Sequence, residues 1–170
     1  MEKKALQILL SLNIEAMKII DGYRLNVAMI VKNMTNEVLF CRRRNSENWQ
    51  FPQGGVDEGE DVLKAMYREL QEEVGLKKES VNLIGESKEL IYYDIPRSIR
   101  SNVLGGRFKG QAQKYFLLET DSLEVNLNQQ IPPEFDSFEW VPYWYPLFKI
   151  VEFKKEAYRK ALSEFRYYFP

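Results

Sequence analysis

Histidine is absent from the 170 residues, and no other feature of the composition excludes as much chemistry. Histidine zinc sites, Ser-His-Asp and Cys-His nucleophiles, and imidazole general bases all disappear with it. Cysteine occurs once, as Cys41, which excludes a disulfide framework and points to a reducing, cytoplasmic compartment. Cys41 falls in an alternating stretch and reads as a small apolar residue rather than a nucleophile. Long apolar runs are missing too: none approaches the roughly 18 residues of a membrane span. Acid-base and metal chemistry must therefore run on carboxylates, lysines, tyrosines or water. Carboxylates favour hard cations such as Mg2+ and Mn2+.

Apolar residues make up 45% of the chain and aromatic residues 14%, enough to build a core within one domain. The net charge is −1, but its distribution is uneven. Gly54 to Glu89 holds ten acids against five bases, a net of −5, which leaves +4 for the rest. An acidic segment in a mildly basic body suits a metal cluster beside a polyanion; a solvated acidic helix face is the competing reading.

The opening twenty residues superficially look like a signal peptide, but Gln7, Ser11, Asn13 and Glu15 interrupt the apolar stretch and no cleavage site follows. Leu6, Leu9, Leu10 and Met17 instead predict an amphipathic helix, so that residues 1–20 form a helical extension and residues 21–170 the main domain. Leu25 to Lys32 and Asn36 to Arg42 read as paired strands across Asn33-Met34-Thr35. A turn through Gly54 and Gly55 leads into a helix from about Asp61 to Val74, stopped by Gly75. Val81 to Asp94 and Gln111 to Glu119 read as longer strands, separated by a basic loop with Arg97, Arg100 and Arg107. Phe138 to Tyr143 is expected as the last strand, and Pro146 onward as a helix to about Tyr167. Trp49, Trp140 and Trp144 are assigned to the core and its rim.

On the helix, at about 100° per residue, Leu63, Met66, Leu70 and Val74 form a core stripe, and Glu69, Glu72 and Glu73 fill an adjacent sector. Three carboxylates on one face repel one another. Arg68 can pair with Glu72 at i, i+4, which leaves Glu69 and Glu73 uncompensated unless divalent cations relieve them. The bland alternative is a solvent-facing acidic helix.

The wider spacing is far more specific. Gly54, five residues, Glu60, seven residues, then Arg68-Glu69-Leu70-Gln71-Glu72-Glu73-Val74-Gly75-Leu76 matches the Nudix box at every defined position, so the sequence resembles the Nudix hydrolases. The resemblance implies an α/β/α sandwich with a mixed sheet and a catalytic loop-helix-loop, whose glutamates hold metal ions that activate water against a phosphoanhydride. It implies Glu69, Glu72 and Glu73 as catalytic metal ligands, leaving open which takes the water's proton. Gly54, Glu60, Arg68 and Gly75 are implied as structural, with Arg68 orienting a glutamate.

Trp49-Gln50-Phe51-Pro52-Gln53, Pro133-Glu134-Phe135-Asp136 and Trp140-Val141-Pro142-Tyr143-Trp144-Tyr145-Pro146 are similar to the bacterial RNA pyrophosphohydrolase subgroup, itself close to the dinucleoside polyphosphate hydrolases. This implies a 5′-pyrophosphohydrolase of triphosphorylated RNA that opens messages to decay. A diadenosine polyphosphate hydrolase is the alternative, and a non-catalytic nucleotide sensor a more distant one. The resemblance adds Glu134 as a metal ligand and Arg24, Arg43, Tyr93, Gln111, Lys114, Phe153 and Lys154 as substrate contacts, with Phe153 stacking on a base opposite Arg43. Each is also readable as a surface charge or core-edge aromatic. Oligomeric state is not encoded in any of these motifs.

Overall fold

The computed structural model describes residues 18–170. Most of the helix expected at the start lies outside the described residues; at its end, Ile19–Ile20 form a short strand, β1, paired antiparallel with Tyr23–Arg24. Strand β2, Tyr23–Lys32, is buried along most of its length. Asn33 then turns the chain, its Oδ1 accepting from the backbone N–H of Thr35 and Glu37, each at 3.0 Å. Strand β3 follows at Glu37–Arg43, then two short strands, β4 at Trp49–Gln50 and β5 at Gln53–Gly55.

Helix α1, Val62–Val74, has chemical punctuation at both ends. Asp61 Oδ1 accepts from the N–H of Leu63 and Lys64 at 3.0 and 3.1 Å, satisfying two otherwise orphaned donors. Gly75 closes the helix at φ 74°, its N–H donating to Gln71 O, a left-handed cap that a side chain would strain. The buried stripe is Ala65, Met66, Leu70 and Val74, joined by Glu73. Leu63 departs from expectation: it is 40% exposed, in the first turn of the helix.

The stretch expected as one strand from Val81 to Asp94 is two, β6 at Asn82–Glu86 and β7 at Ile91–Asp94. Ser87 breaks it, donating its N–H to Tyr115 O and its hydroxyl to Glu89 O. Both strands pair antiparallel with β8, Gly110–Glu119, at opposite ends. The basic connection contains a short helix, α2, Arg97–Arg100. Strand β9, Phe135–Pro142, begins earlier than the apolar pattern indicates and pairs with β3.

The expected C-terminal helix is also divided. Helix α3, Pro146–Lys149, ends where Ile150 and Val151 become extended, with ψ of 145° and 143°. Adjacent β-branched residues tolerate that conformation well. A single 3₁₀ turn, Glu152–Lys154, then leads into α4, Lys155–Phe165. The break carries Phe153 and Lys154 to the candidate site.

Among the described residues, all nine strands belong to one mixed sheet, with β4-β3-β2-β8-β6 as its main path. The central pair β2–β8 is parallel, in register from Tyr23 opposite Gly110 to Lys32 opposite Glu119. Alternation along β2 sends Leu25, Val27 and Met29 to α1, and Ala28 and Ile30 to the α4 side with Tyr158, Leu162 and Phe165. Burying each such large side chain contributes roughly 1.5–3 kcal/mol. Helices on both faces give the α/β/α arrangement, and among the described residues no helix is long and apolar enough to cross a membrane.

Candidate active site

The site is assembled where β5, α1 and the start of the parallel pair meet. In β5, Gly54 lies opposite Val27 and Gly55 opposite Asn26. A Cβ on Gly54 would collide with the Glu69 carboxylate, and one on Gly55 with the Arg24 guanidinium. The two glycines therefore let an anion and a cation approach the same backbone from either side.

Arg68 organises the carboxylates of α1. Its Nε and Nη2 donate to Glu60 at 2.8 Å each, Nη1 donates to Glu69 at 2.7 Å and Glu72 at 3.3 Å, and Nη2 reaches Gly55 O at 3.0 Å. Those bonds hold the Glu60 carboxyl below its ordinary range. Glu73 is only 5% exposed and accepts from the Gln53 N–H at 2.8 Å. Burial, and then the neighbouring Glu69 carboxylate, push its carboxyl well above the usual range. Burial also raises Glu69, against the pull of Arg68.

Glu134 enters from the loop before β9 and accepts from Arg43 Nη2 at 3.0 Å. With Glu69, Glu72 and Glu73 it borders one cleft of about 570 Å³. Among the described residues these oxygens do not close into a compact group of three or more at metal-ligand spacing, Arg68 and Arg43 each drawing carboxylates to themselves. The donor set nevertheless fits a divalent cation: it is all oxygen, partly desolvated, and includes a buried carboxylate raised by its neighbour.

The opposite wall is cationic and aromatic. Lys154 Nζ donates to Gln50 Oε1 at 3.1 Å and lies 5.3 Å from the Tyr93 ring centre. Burial and the nearby Arg43 bring its ammonium down to about 8. Phe153 packs against Tyr93 at 5.9 Å. On the floor, Arg24 and Gln111 are partners across the parallel pair. Arg24 Nε and Gln111 Oε1 are buried without a hydrogen-bond partner among the described residues. Buried polar atoms are rarely left so, and both residues line the cleft.

Thus Arg24, Arg43, Tyr93, Gln111, Phe153 and Lys154 converge with Glu69, Glu72, Glu73, Glu134 and Gly54. Lys114 does not join them. It alternates to the other face of β8 from Gln111 and Gln113, where its ammonium meets Ser87 O and lies 3.8 Å from Glu86. The period of two that brings Gln111 in sends Lys114 out. Gly75 stands at the far end of α1 as its cap.

Sequence reasoning missed a set of amides. Gln113, fully buried, donates from Nε2 to Asn26 Oδ1 at 2.8 Å and to Gln53 Oε1 at 3.0 Å, and accepts from the Tyr115 hydroxyl at 2.8 Å. This network fixes Gln53, whose N–H in turn fixes Glu73. Gln50 and Gln53 flank Phe51-Pro52 directly before the box, so their position was a usable signal. Asn26 sits within an apolar strand, and Gln113 stands beside Lys114 in the polar start of β8, where nothing distinguished it from its neighbours.

A NUDIX domain model matches residues 22–161. The chain is 48% identical over 155 residues to the RNA pyrophosphohydrolase of Francisella tularensis subsp. mediasiatica (strain FSC147), covering 87% of this chain and 96% of that one. It is 46% identical over 148 residues to the RNA pyrophosphohydrolase of Haemophilus ducreyi, covering 85% and 75%. Among solved structures, the Escherichia coli dihydroneopterin triphosphate pyrophosphohydrolase superposes with a TM-score of 0.67 at 20% identity, over 82% of this chain and 95% of that one. A Caenorhabditis elegans Ap4A hydrolase binary complex gives 0.63 at 22%, over 85% and 98%. Agreement of the box, the fold and near-half-identical relatives over most of the chain leads to one assignment: the protein belongs to the Nudix family.

Proposed function

We propose that the protein is a metal-dependent RNA 5′-pyrophosphohydrolase, converting triphosphorylated or diphosphorylated 5′ ends to monophosphate. The observation that carries the reading is the juxtaposition, in one cleft, of four carboxylates with Arg24, Arg43 and Lys154. Relatives nearly half identical over most of the chain carry the RNA pyrophosphohydrolase name. In this reading Glu69, Glu72, Glu73 and Glu134 hold divalent metal, Mg2+ or alternatively Mn2+. When bound, the metal supplies an activated water and neutralises polyphosphate charge. Arg24 offers its unpartnered Nε to a phosphate oxygen, while Arg43 and Lys154 flank the same anion and so favour the charge that develops on the leaving pyrophosphate. Gln111 and Tyr93 set the polar floor, and Phe153 supplies a ring for a base. Arg68 touches no substrate and holds Glu69 and Glu72.

The test is a side-by-side assay, with Mg2+, of 5′-triphosphorylated RNA and diadenosine tetraphosphate. Wild type is expected to release pyrophosphate, or phosphate stepwise, from the RNA. Glu73→Gln, which keeps the shape and removes a charge, is expected to lower kcat at least about a hundredfold on every substrate it acts on, since metal and water activation supply several kcal/mol. Cleavage of the dinucleotide alone would replace the RNA reading with the dinucleoside polyphosphate one. Absence of any metal-dependent turnover would leave a nucleotide sensor.

A further inference from the structure

The excess positive charge outside the acidic segment equals the charge of one stretch. Residues 95–110 hold Arg97, Arg100, Arg107 and Lys109 and no acid. The stretch joins β7 to β8, and its Ile95 and Val103 line the cleft, so it forms a wall of the candidate active site. Two of its cations shape it. Arg100 donates from Nε and Nη2 to Ile95 O at 3.3 and 2.9 Å. Lys109 donates to Asp21 O at 3.2 Å and lies 5.9 Å from the Tyr23 ring centre. The nearest acid in sequence, Asp94, is taken by the Tyr23 hydroxyl at 2.7 Å. Arg97 and Arg107 are exposed, and among the described residues no acid stands within ion-pair distance of either.

Four cations without an acid repel one another, and the fold gains nothing from Arg97 and Arg107 by themselves. Their position does have a use. A chain whose 5′ phosphates occupy the cleft must leave over one of its walls, and this wall carries two uncommitted guanidiniums, the side chain best suited to bidentate phosphate contact. We propose that residues 95–110 form a track for the backbone of single-stranded RNA downstream of the 5′ end, with Arg97 and Arg107 making the phosphate contacts. The proposal rests on the RNA pyrophosphohydrolase reading and adds a determinant that separates a long RNA from a dinucleotide, which has no downstream backbone.

The experiment measures kcat/KM of wild type and of Arg97→Gln/Arg107→Gln on a 5′-triphosphorylated RNA of ten or so nucleotides and on diadenosine tetraphosphate, between about 50 and 200 mM salt. Each phosphate contact on a single strand contributes about 0.7 to the slope of log affinity against log salt, so the double variant's RNA slope is expected to be shallower by about 1.4. Its RNA kcat/KM at the lowest salt is expected to fall roughly three- to tenfold. Hydrolysis of the dinucleotide by the same variant is expected to stay within about twofold of wild type, which also reports that the cleft is intact. Arg97→Lys/Arg107→Lys keeps the charges and should keep the slope. An unchanged RNA slope, or equal losses on both substrates, overturns the track. A wild type that cleaves the dinucleotide but not the RNA overturns the substrate reading on which it rests.

Discussion

Lys154 shows how burial at one residue becomes a measurable property of the cleft. The side chain is 8% exposed, its ammonium is brought down to about 8, and the charged groups acting on it are Arg43, Glu134 and Glu73. A lysine that binds polyphosphate does so as a cation. The kcat/KM of the free enzyme is therefore expected to fall as pH rises through about 8. Lys154→Met should lack this limb and sit, at neutral pH, near the wild type's alkaline plateau; a pH–rate profile of both proteins checks it. The sign for stability is opposite. Below about 8 the native state keeps a desolvated cation at a cost. Above it the native state gives up a proton that the unfolded chain retains, so this group's contribution to stability improves with pH until the ordinary lysine range is reached. At this scale the charges of the site were legible because Nudix-box glutamates and basic residues are conspicuous. The exclusion of Lys114 was not: a strand's facing is set by its register with β2, and two adjacent polar residues, Gln113 and Lys114, leave the alternation ambiguous.

Among the elements, α1 was the most readable because its ends carry their own chemistry. Asp61 and Gly75 are boundary residues whatever the tertiary context. The cap gives a clean test. Asp61→Ala removes the acceptor for two backbone N–H groups and is expected to cost about 1 kcal/mol of stability. That corresponds to a fall of roughly 2–4 °C in Tm for a domain of this size, read by thermal denaturation. The kcat should change little, since Asp61 does not line the cleft. The C-terminal segment was harder to read. Pro146 to Tyr167 is helical in composition, and the interruption at Ile150–Val151 is imposed by packing: Ile150 is buried against the core, and that burial wins over local propensity. The short strands β4 and β5 were also missed, since two or three residues are too few to show a period. They matter more than their length, for β5 is the element against which Glu69 and Glu73 are set.

At the scale of the whole molecule, the domain was legible as a Nudix sandwich because a box of fixed spacing and its flanks specify one arrangement of loop, helix and sheet. Among the described residues, every one bordering the cleft lies between Arg24 and Lys154. A chain beginning at Met17 keeps all of them, together with β1. It is expected to fold and to hydrolyse substrate within about twofold of the full chain's kcat/KM, as circular dichroism and the same assay would show; an insoluble or inactive product would make the preceding residues integral to the domain. The amide network across β2, β8 and β5 has one more consequence, which concerns direction. The Tyr115 hydroxyl donates to Gln113, and Gln113 donates to Asn26 and Gln53. Both hydrogens of the Gln113 amide are used on those two carbonyls and its own oxygen accepts the phenol, so the amide has one orientation that satisfies the row. Polarity is thereby relayed through the buried sheet to β5 like a row of aligned needles, ending at the residue whose N–H meets the Glu73 carboxylate.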